Sequence, residues 1–143
     1  MKTAAQLIAD KKSKGVISIA PNRPVIDALI ILAEYKIGAL IVMDKDKMVG
    51  IFSERDYARE VVLKGKSSKV TLIEEVMTKN VLVGHGKDTF EKAMTLMTEN
   101  HIRHLPIMDG HNVIGMLSLG DVAKEMIMYQ KNLIKELEGY VKQ

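Results

Sequence analysis

VGIFSERD (residues 49–56) returns later in the chain as IGMLSLGD (residues 114–121), with Gly50, Ser53 and Asp56 matched by Gly115, Ser118 and Asp121. Sliding the chain by 65 positions, the separation of Gly50 from Gly115, aligns residues 16–57 with residues 81–122 without a gap. The alignment adds Val16/Val81, Ala28/Ala93, Glu34/Glu99, Ile37/Ile102, Leu40/Leu105, Met43/Met108 and Asp44/Asp109. Matches spread along the whole window point to a duplicated structural unit and not to a chance motif.

Each copy reads the same way. A short apolar strand, VISI (16–19) or VLV (81–83), leads into a helix whose apolar residues, Val25, Ala28, Leu29 and Leu32 or Phe90, Ala93, Met94 and Met97, follow helical spacing. Pro24 suits a first helical turn, and Asp88 with Glu91 reads as a capping box. ALIVMD (39–44) and HLPIMD (104–109) read as strands, joined through the turns KDK and GHN to the strands MVGIF (48–52) and VIGML (113–117). A second helix starts at Ser53 or Ser118. The order strand, helix, strand, strand, helix, given twice, predicts a mixed α/β (α+β) fold.

A helix over residues 3–10 precedes the first copy, and a short helix over 71–77, capped by Thr71, mirrors it before the second. The chain therefore divides into 1–70 and 71–143. The last helix runs from Ser118 to about Val141, with Val122, Met126, Tyr129, Leu133, Leu137 and Tyr140 on one stripe. That stripe is longer than a small domain readily covers, and either an oligomer contact or a folded-back helix would cover it.

A chain of 143 residues, 47% apolar and 27% charged, is long enough to bury about two thirds of its unfolded surface without staples. The absence of cysteine excludes disulfides, thiolate catalysis and thiolate metal sites. The first residues lack the apolar core of a secretory signal, and no apolar run reaches the roughly 18 residues of a membrane span, so a cytoplasmic protein is expected. The net charge of +3 is spread among lysines. Two lysine groups, Lys11/Lys12/Lys14 and Lys64/Lys66/Lys69, could meet nucleic-acid phosphates, although short lysine turns more often are solvated connections.

Ser-x-x-Asp at a helix start has a structural explanation, since the serine accepts a backbone N–H and the aspartate reaches back to the cap. Its recurrence adds to this: each copy places a glycine in the preceding strand, which ends on a helix N-terminus whose amides favour anions. An aspartate there can also accept both hydroxyls of a ribose. The duplicated unit ending in Gly-apolar-apolar-Ser-x-x-Asp, together with HLPIMDG (104–110), resembles a tandem pair of CBS domains, the module named after cystathionine beta-synthase. FSERDYAREVVLKGKSS followed by EEVMT is similar to small stand-alone CBS-pair proteins, so no attached enzyme or channel is expected.

The resemblance implies a pseudo-twofold module with two clefts built across the repeats, binding adenosine derivatives such as AMP, ADP, ATP, NAD or S-adenosylmethionine. One cleft would take Ile17, Ser18, Ile37 and Gly38 with Met116, Ser118 and Asp121; the other would take Thr78, Leu82, Ile102 and Arg103 with Ile51, Ser53, Arg55 and Asp56. Asp56 and Asp121 would hold ribose, Ser53 and Ser118 would meet phosphate or ribose oxygens, and Ile17, Leu82, Ile51 and Met116 would sandwich adenine. Arg55, Arg103 and His104 would supply positive charge. Leu119-Gly120 stands where the first copy has Glu54-Arg55, so the Asp121 cleft lacks the equivalent arginine and the two sites should differ.

The four histidines, His85, His101, His104 and His111, come without cysteine or a tight carboxylate pattern, and no metal is expected. GHGKDT (84–89) fails the dinucleotide fingerprint at its last position and reads as a tolerant turn. No nucleophile, base and orienter stand at a recognisable spacing, and no P-loop is present. The expectation is a non-enzymatic adenine-nucleotide sensor, homodimeric as the family usually is, that signals to a separate partner protein. A nucleic-acid-associated protein using the lysine turns is the alternative.

Overall fold

The structure is a computed structural model that describes residues 1–11 and 15–141. Lys12 and Lys14 of the first lysine group lie outside the described residues. In chain order the elements are α1 (Ala4–Asp10), β1 (Ser18–Ile19), α2 (Val25–Tyr35), β2 (Ala39–Asp44), β3 (Lys47–Ser53) and α3 (Glu54–Asp56), which runs directly into a π-helical turn (Tyr57–Val62). They continue with α4 (Ile73–Val76), β4 (Gly84–His85), α5 (Phe90–Glu99), β5 (His104–Asp109), β6 (Asn112–Ser118) and α6 (Leu119–Val141). Packing divides them into two compact units, Gly15–Leu82 and Met1–Lys14 with Val83–Gln143.

In the first unit β1 pairs parallel to β2, with α2 as the crossover, and β2 pairs antiparallel to β3. Central β2 is buried from Ala39 to Val42, which explains its unbroken apolar run, whereas β3 alternates and turns Gly50 and Phe52 inward. Val25, Ala28 and Leu32 of α2 close over Leu40, Val42 and Phe52, with Val61, Ile73 and Val76 completing the core. The second unit repeats the plan with β4, β5 and β6 around Phe90, Ala93, Met97, Leu105, Ile107, Leu117 and Val122. There the Phe90 and Tyr129 rings meet edge to face at 5.9 Å.

The duplication reaches into the backbone. Both antiparallel pairs carry a register shift at matching places, Val42/Met43 and Ile107/Met108. Left-handed residues also recur: Lys36 (φ 55°) matches His101 (φ 54°), and Lys45 (φ 57°) matches Gly110 (φ 62°). Two copies therefore adopt the same turns with different side chains.

Sequence order and packing divide the chain differently. The helix that precedes each copy docks against the other one. In the first unit Val25 N–H donates to Thr71 C=O at 2.8 Å and Ile73 N–H to Arg23 C=O at 2.9 Å, so α4 sits at the start of α2. In the second, Ala4 N–H donates to Asp88 C=O at 2.7 Å and Phe90 N–H to Lys2 C=O at 3.0 Å, placing α1 at the start of α5.

Several local expectations are corrected. The strand expected at 81–83 forms at Gly84–His85, paired with Ile107 and Met108. GHGKDT is thus no tolerant turn: a Cβ on Gly84 would lie 2.9 Å from both Ile107 Cδ1 and Leu105 Cδ2, and one on Gly86 would lie 3.2 Å from Ala5 Cβ. Thr71 does not cap α4. It is buried, and the first turn is closed by Leu72 N–H donating to Glu75 Oε2 at 2.6 Å. Pro24 is the N-cap of α2 and not part of its first turn. Thr89 caps α5 by accepting Lys92 N–H, while Asp88 accepts from His85 N–H and Lys92 Nζ in place of a box with Glu91. The helix after Ser53 is α-helical only to Asp56, beyond which bonds such as Leu63 N–H to Ala58 C=O widen it to a π turn.

The α6 stripe divides in two. Val122 is buried, and Met126 and Tyr129 pack on the core of their unit, whereas Leu133, Leu137 and Tyr140 are exposed. No helix among the described residues is long and apolar enough to cross a membrane.

A Cβ on Gly50 would stand 2.7 Å from Met77 Sδ and 2.8 Å from Thr78 O, and nothing lies within 4 Å of the same position on Gly139. Gly50→Ala should therefore lower unfolding free energy by about 1–3 kcal/mol through overpacking. Gly139→Ala, in an exposed helical turn, should raise it by up to about 1 kcal/mol. Urea unfolding of both variants checks the contrast.

Candidate functional site

In the first unit the end of β3 turns straight into α3 at Ser53, whose extended backbone (φ −120°, ψ 165°) makes it the N-cap. Ser53 N–H donates to Asp56 Oδ2 at 2.9 Å, Ser53 Oγ donates to the same oxygen at 3.0 Å, and Asp56 N–H donates back to Ser53 Oγ at 3.1 Å. The other carboxylate oxygen, Oδ1, accepts from Thr78 Oγ1 at 3.0 Å. Thr78 is held there by reciprocal backbone bonds with Ile51, at 3.0 and 2.9 Å. Gly38 C=O accepts the Glu54 N–H at 3.0 Å. Ile51, Ser53, Asp56, Thr78 and Gly38 thus gather around one helix start.

The remaining expected residues of this unit stand further out. Arg55 is exposed on the first turn, and Leu82 is exposed. Ile17 and Ser18 belong to the β1 edge, across β2 from β3, with Ser18 exposed opposite Ile41. Ile17 and Ile37 are half-buried against the core, and Ile37 N–H closes the end of α2 on Leu32 C=O.

The second unit builds the same helix start. Ser118 N–H donates to Asp121 Oδ2 at 2.8 Å and Asp121 N–H to Ser118 Oγ at 3.0 Å. Leu119 N–H donates to Arg103 C=O at 2.8 Å, the counterpart of the Glu54–Gly38 bond. His104 faces Ser118 and Met116 faces Pro106 across the β5–β6 ladder. Ile102 is half-buried and Arg103 exposed. Both repeated strings are therefore complete caps, and capping leaves each carboxylate with further lone pairs for a ligand.

The Asp121 helix start, where Gly120 stands at the position matching Arg55, draws a cation from elsewhere in the chain. Lys11, which follows α1, places its Nζ 2.9 Å from Asp121 Oδ2 and 2.8 Å from Met116 C=O. Lys11 and Asp121 are both about one-third exposed, at 32% and 31% of their side chains. The pairing was hidden in the sequence because the two residues lie 110 positions apart. The one available signal was the mirrored helix ahead of each copy. Among the described residues no group of three or more histidines and carboxylates could hold a metal ion, His85, His101, His104 and His111 included.

Burial pushes the Asp121 carboxyl upward, but the Ser118 N–H and the Lys11 ammonium together outweigh it and hold the group below its ordinary value. A carboxylate lowered on folding contributes stability that is present above its unfolded pKa of about 4 and is lost as pH falls through the folded value. Asp121→Asn should consequently destabilise the protein at pH 7, and the gap from the parent should shrink as pH falls from about 4 towards 2. Urea unfolding across that range measures it.

The CBS domain family profile matches residues 8–63 and 73–128. The CBS domain-containing protein CBSX3, mitochondrial, of Arabidopsis thaliana is 35% identical over 122 residues, covering 82% of this chain, and the chain spans 59% of that relative's length. A solved CBS-domain protein from Burkholderia ambifaria superposes with a TM-score of 0.84 at 43% identity, over 89% of this chain and 95% of its own. The CBS domain pair of protein MJ0100, solved in complex with 5′-methylthioadenosine and S-adenosyl-L-methionine, superposes with a TM-score of 0.77 at 25% identity, over 88% of this chain and 96% of its own. With both copies matched and the two three-stranded sheets in place, the chain belongs to the CBS-domain family, as a tandem pair of CBS domains.

Proposed function

We propose that this CBS pair is a non-enzymatic sensor of adenine nucleotides, AMP, ADP, ATP or NAD, whose occupancy is read by a separate regulated protein. The observation that carries the reading is the twice-built helix start, in which a carboxylate is held in a fixed orientation by its own cap. A ribose diol needs a rigid acceptor with two oxygens, and each aspartate offers one. That MJ0100 holds two adenosine compounds supports the same ligand class here.

In this reading Asp56 and Asp121 take ribose hydroxyls. Ser53 and Ser118 with the helix amides meet ribose or phosphate oxygens. Ile51 and Met116, both half-buried beside their helix starts, provide apolar surface for adenine, together with Ile17 and Leu82. Arg55, Arg103 and His104 contribute charge or hydrogen bonds to phosphates. Signalling requires the ligand to bind two states of the module with different affinity.

We assign the exposed outer half of α6, with Leu133, Leu137 and Tyr140, to contact between two copies of the chain in a homodimer. A cytoplasmic setting accords with the absence of cysteine. The lysine turn carries part of its own counter-charge through the Lys64–Glu60 pair, so the ligand reading stands ahead of nucleic-acid binding.

Thermal unfolding against millimolar AMP, ADP, ATP, NAD and S-adenosylmethionine, with a guanine nucleotide as control, tests the proposal. A ligand at 100 times its dissociation constant adds about 2.7 kcal/mol to stability. Adenosine compounds should raise the midpoint and the guanine control should not. Asp56→Ala and Asp121→Ala should each remove one of two sites by calorimetry and cost about 1 kcal/mol of stability from the lost return bond to the cap N–H. An unchanged midpoint with every adenosine compound would overturn the reading. Leu137→Glu should convert the dimer to monomer in sedimentation.

A further inference from the structure

The Asp121 helix start differs from its twin in what occupies the carboxylate. At Asp56 the additional partner is a neutral hydroxyl, Thr78 Oγ1; at Asp121 it is an ammonium, Lys11 Nζ. Lys11 is no loose surface lysine. Its backbone N–H closes α1 on Ile8 C=O, and α1 is fixed by the Thr3 cap, by buried Ala4 and Leu7, and by backbone bonds to Gly86 and Asp88. Ile8 packs so near β6 that a Cβ on Gly115 would lie 2.9 Å from it, which brings the end of α1 onto Met116 and Asp121.

We infer that Lys11 makes the Asp121 site selective for phosphorylated adenosine ligands over uncharged nucleosides. This rests on the adenosine reading proposed above and deepens it. A ribose diol that engages both carboxylate oxygens of Asp121 brings one hydroxyl onto Oδ2, where the Ser118 N–H and Lys11 already take both lone pairs, and there it competes with Lys11. A neutral nucleoside then separates a partly buried ammonium from its counter-charge and offers none in return. A nucleotide brings a phosphate within one sugar of the displaced ammonium, so the charge is transferred from one partner to another, and a charge-assisted bond is kept. Lys11 thereby supplies, from a distant part of the chain, the cation that Gly120 withholds at the position matching Arg55.

The test isolates this site in an Asp56→Ala background and measures AMP, adenosine and 5′-methylthioadenosine by calorimetry. AMP should bind at least about tenfold more tightly than either nucleoside, equivalent to about 1.4 kcal/mol. Adding Lys11→Met should bring the three within about threefold, by weakening AMP and leaving adenosine equal or stronger. Lys11→Arg should retain the preference. Lys11→Gln, which keeps a polar side chain, provides a second neutral variant should Lys11→Met fold poorly. An AMP-to-adenosine ratio unchanged by removing the charge would overturn the inference while leaving the adenosine reading intact. Loss of all binding in Asp56→Ala, with binding present in the parent, would also overturn it. If the parent binds no adenosine compound, the proposed function fails and this inference with it.

Discussion

The close approach permitted by a missing side chain governs both sites. Gly50 lets Met77 and Thr78 lie against β3, and Gly115 lets Ile8 lie against β6. Each contact delivers a polar group to the aspartate that follows: Thr78 to Asp56, and Lys11 to Asp121. The glycine in the repeated string is therefore coupled to the aspartate six residues later. It sets what the carboxylate meets from a distance along the chain, by the close packing it permits.

Capping and ligand binding are compatible roles for the same aspartate. A carboxylate has about four lone-pair directions. The cap of α6 takes one through the Ser118 N–H, and Lys11 takes another. The cap fixes the side chain in one rotamer, so that a diol would meet a preorganised acceptor and lose less on ordering it. A helix start thus supplies rigidity, and whatever packs beside it sets charge.

Most of the fold was legible because its signals are local. The alternation in MVGIF, the apolar run in ALIVMD and the return of Gly, Ser and Asp gave both three-stranded arrangements, and the helix starts lie where Ser-x-x-Asp placed them. What escaped depends on partners distant in sequence. β4 shifted to Gly84–His85 because its register is set by Ile107 and Met108. Thr71 resembled a cap yet is buried, with its carbonyl receiving Val25 N–H. The π turn after Asp56 has no signature in YAREVV, and Lys11 looked like one lysine among several. Sequence spacing showed which carboxylates close the two helix starts more readily than it showed what else packs against them.

The exchange of leading helices also sets an order of assembly. The unit from Gly15 to Leu82 is one continuous stretch and has its whole core in hand once α4 has been synthesised. Its companion must join Ala4 and Leu7 to Phe90 and Leu117, residues separated in sequence by the whole of the first unit. Loop closure of that length is entropically affordable but slow to reward, and chains emerge N-terminus first. During synthesis α1 therefore waits with its apolar face uncovered while the later-numbered elements of the first unit fold ahead of it. The residue that reaches Asp121 is made before the first unit and finds its place after it.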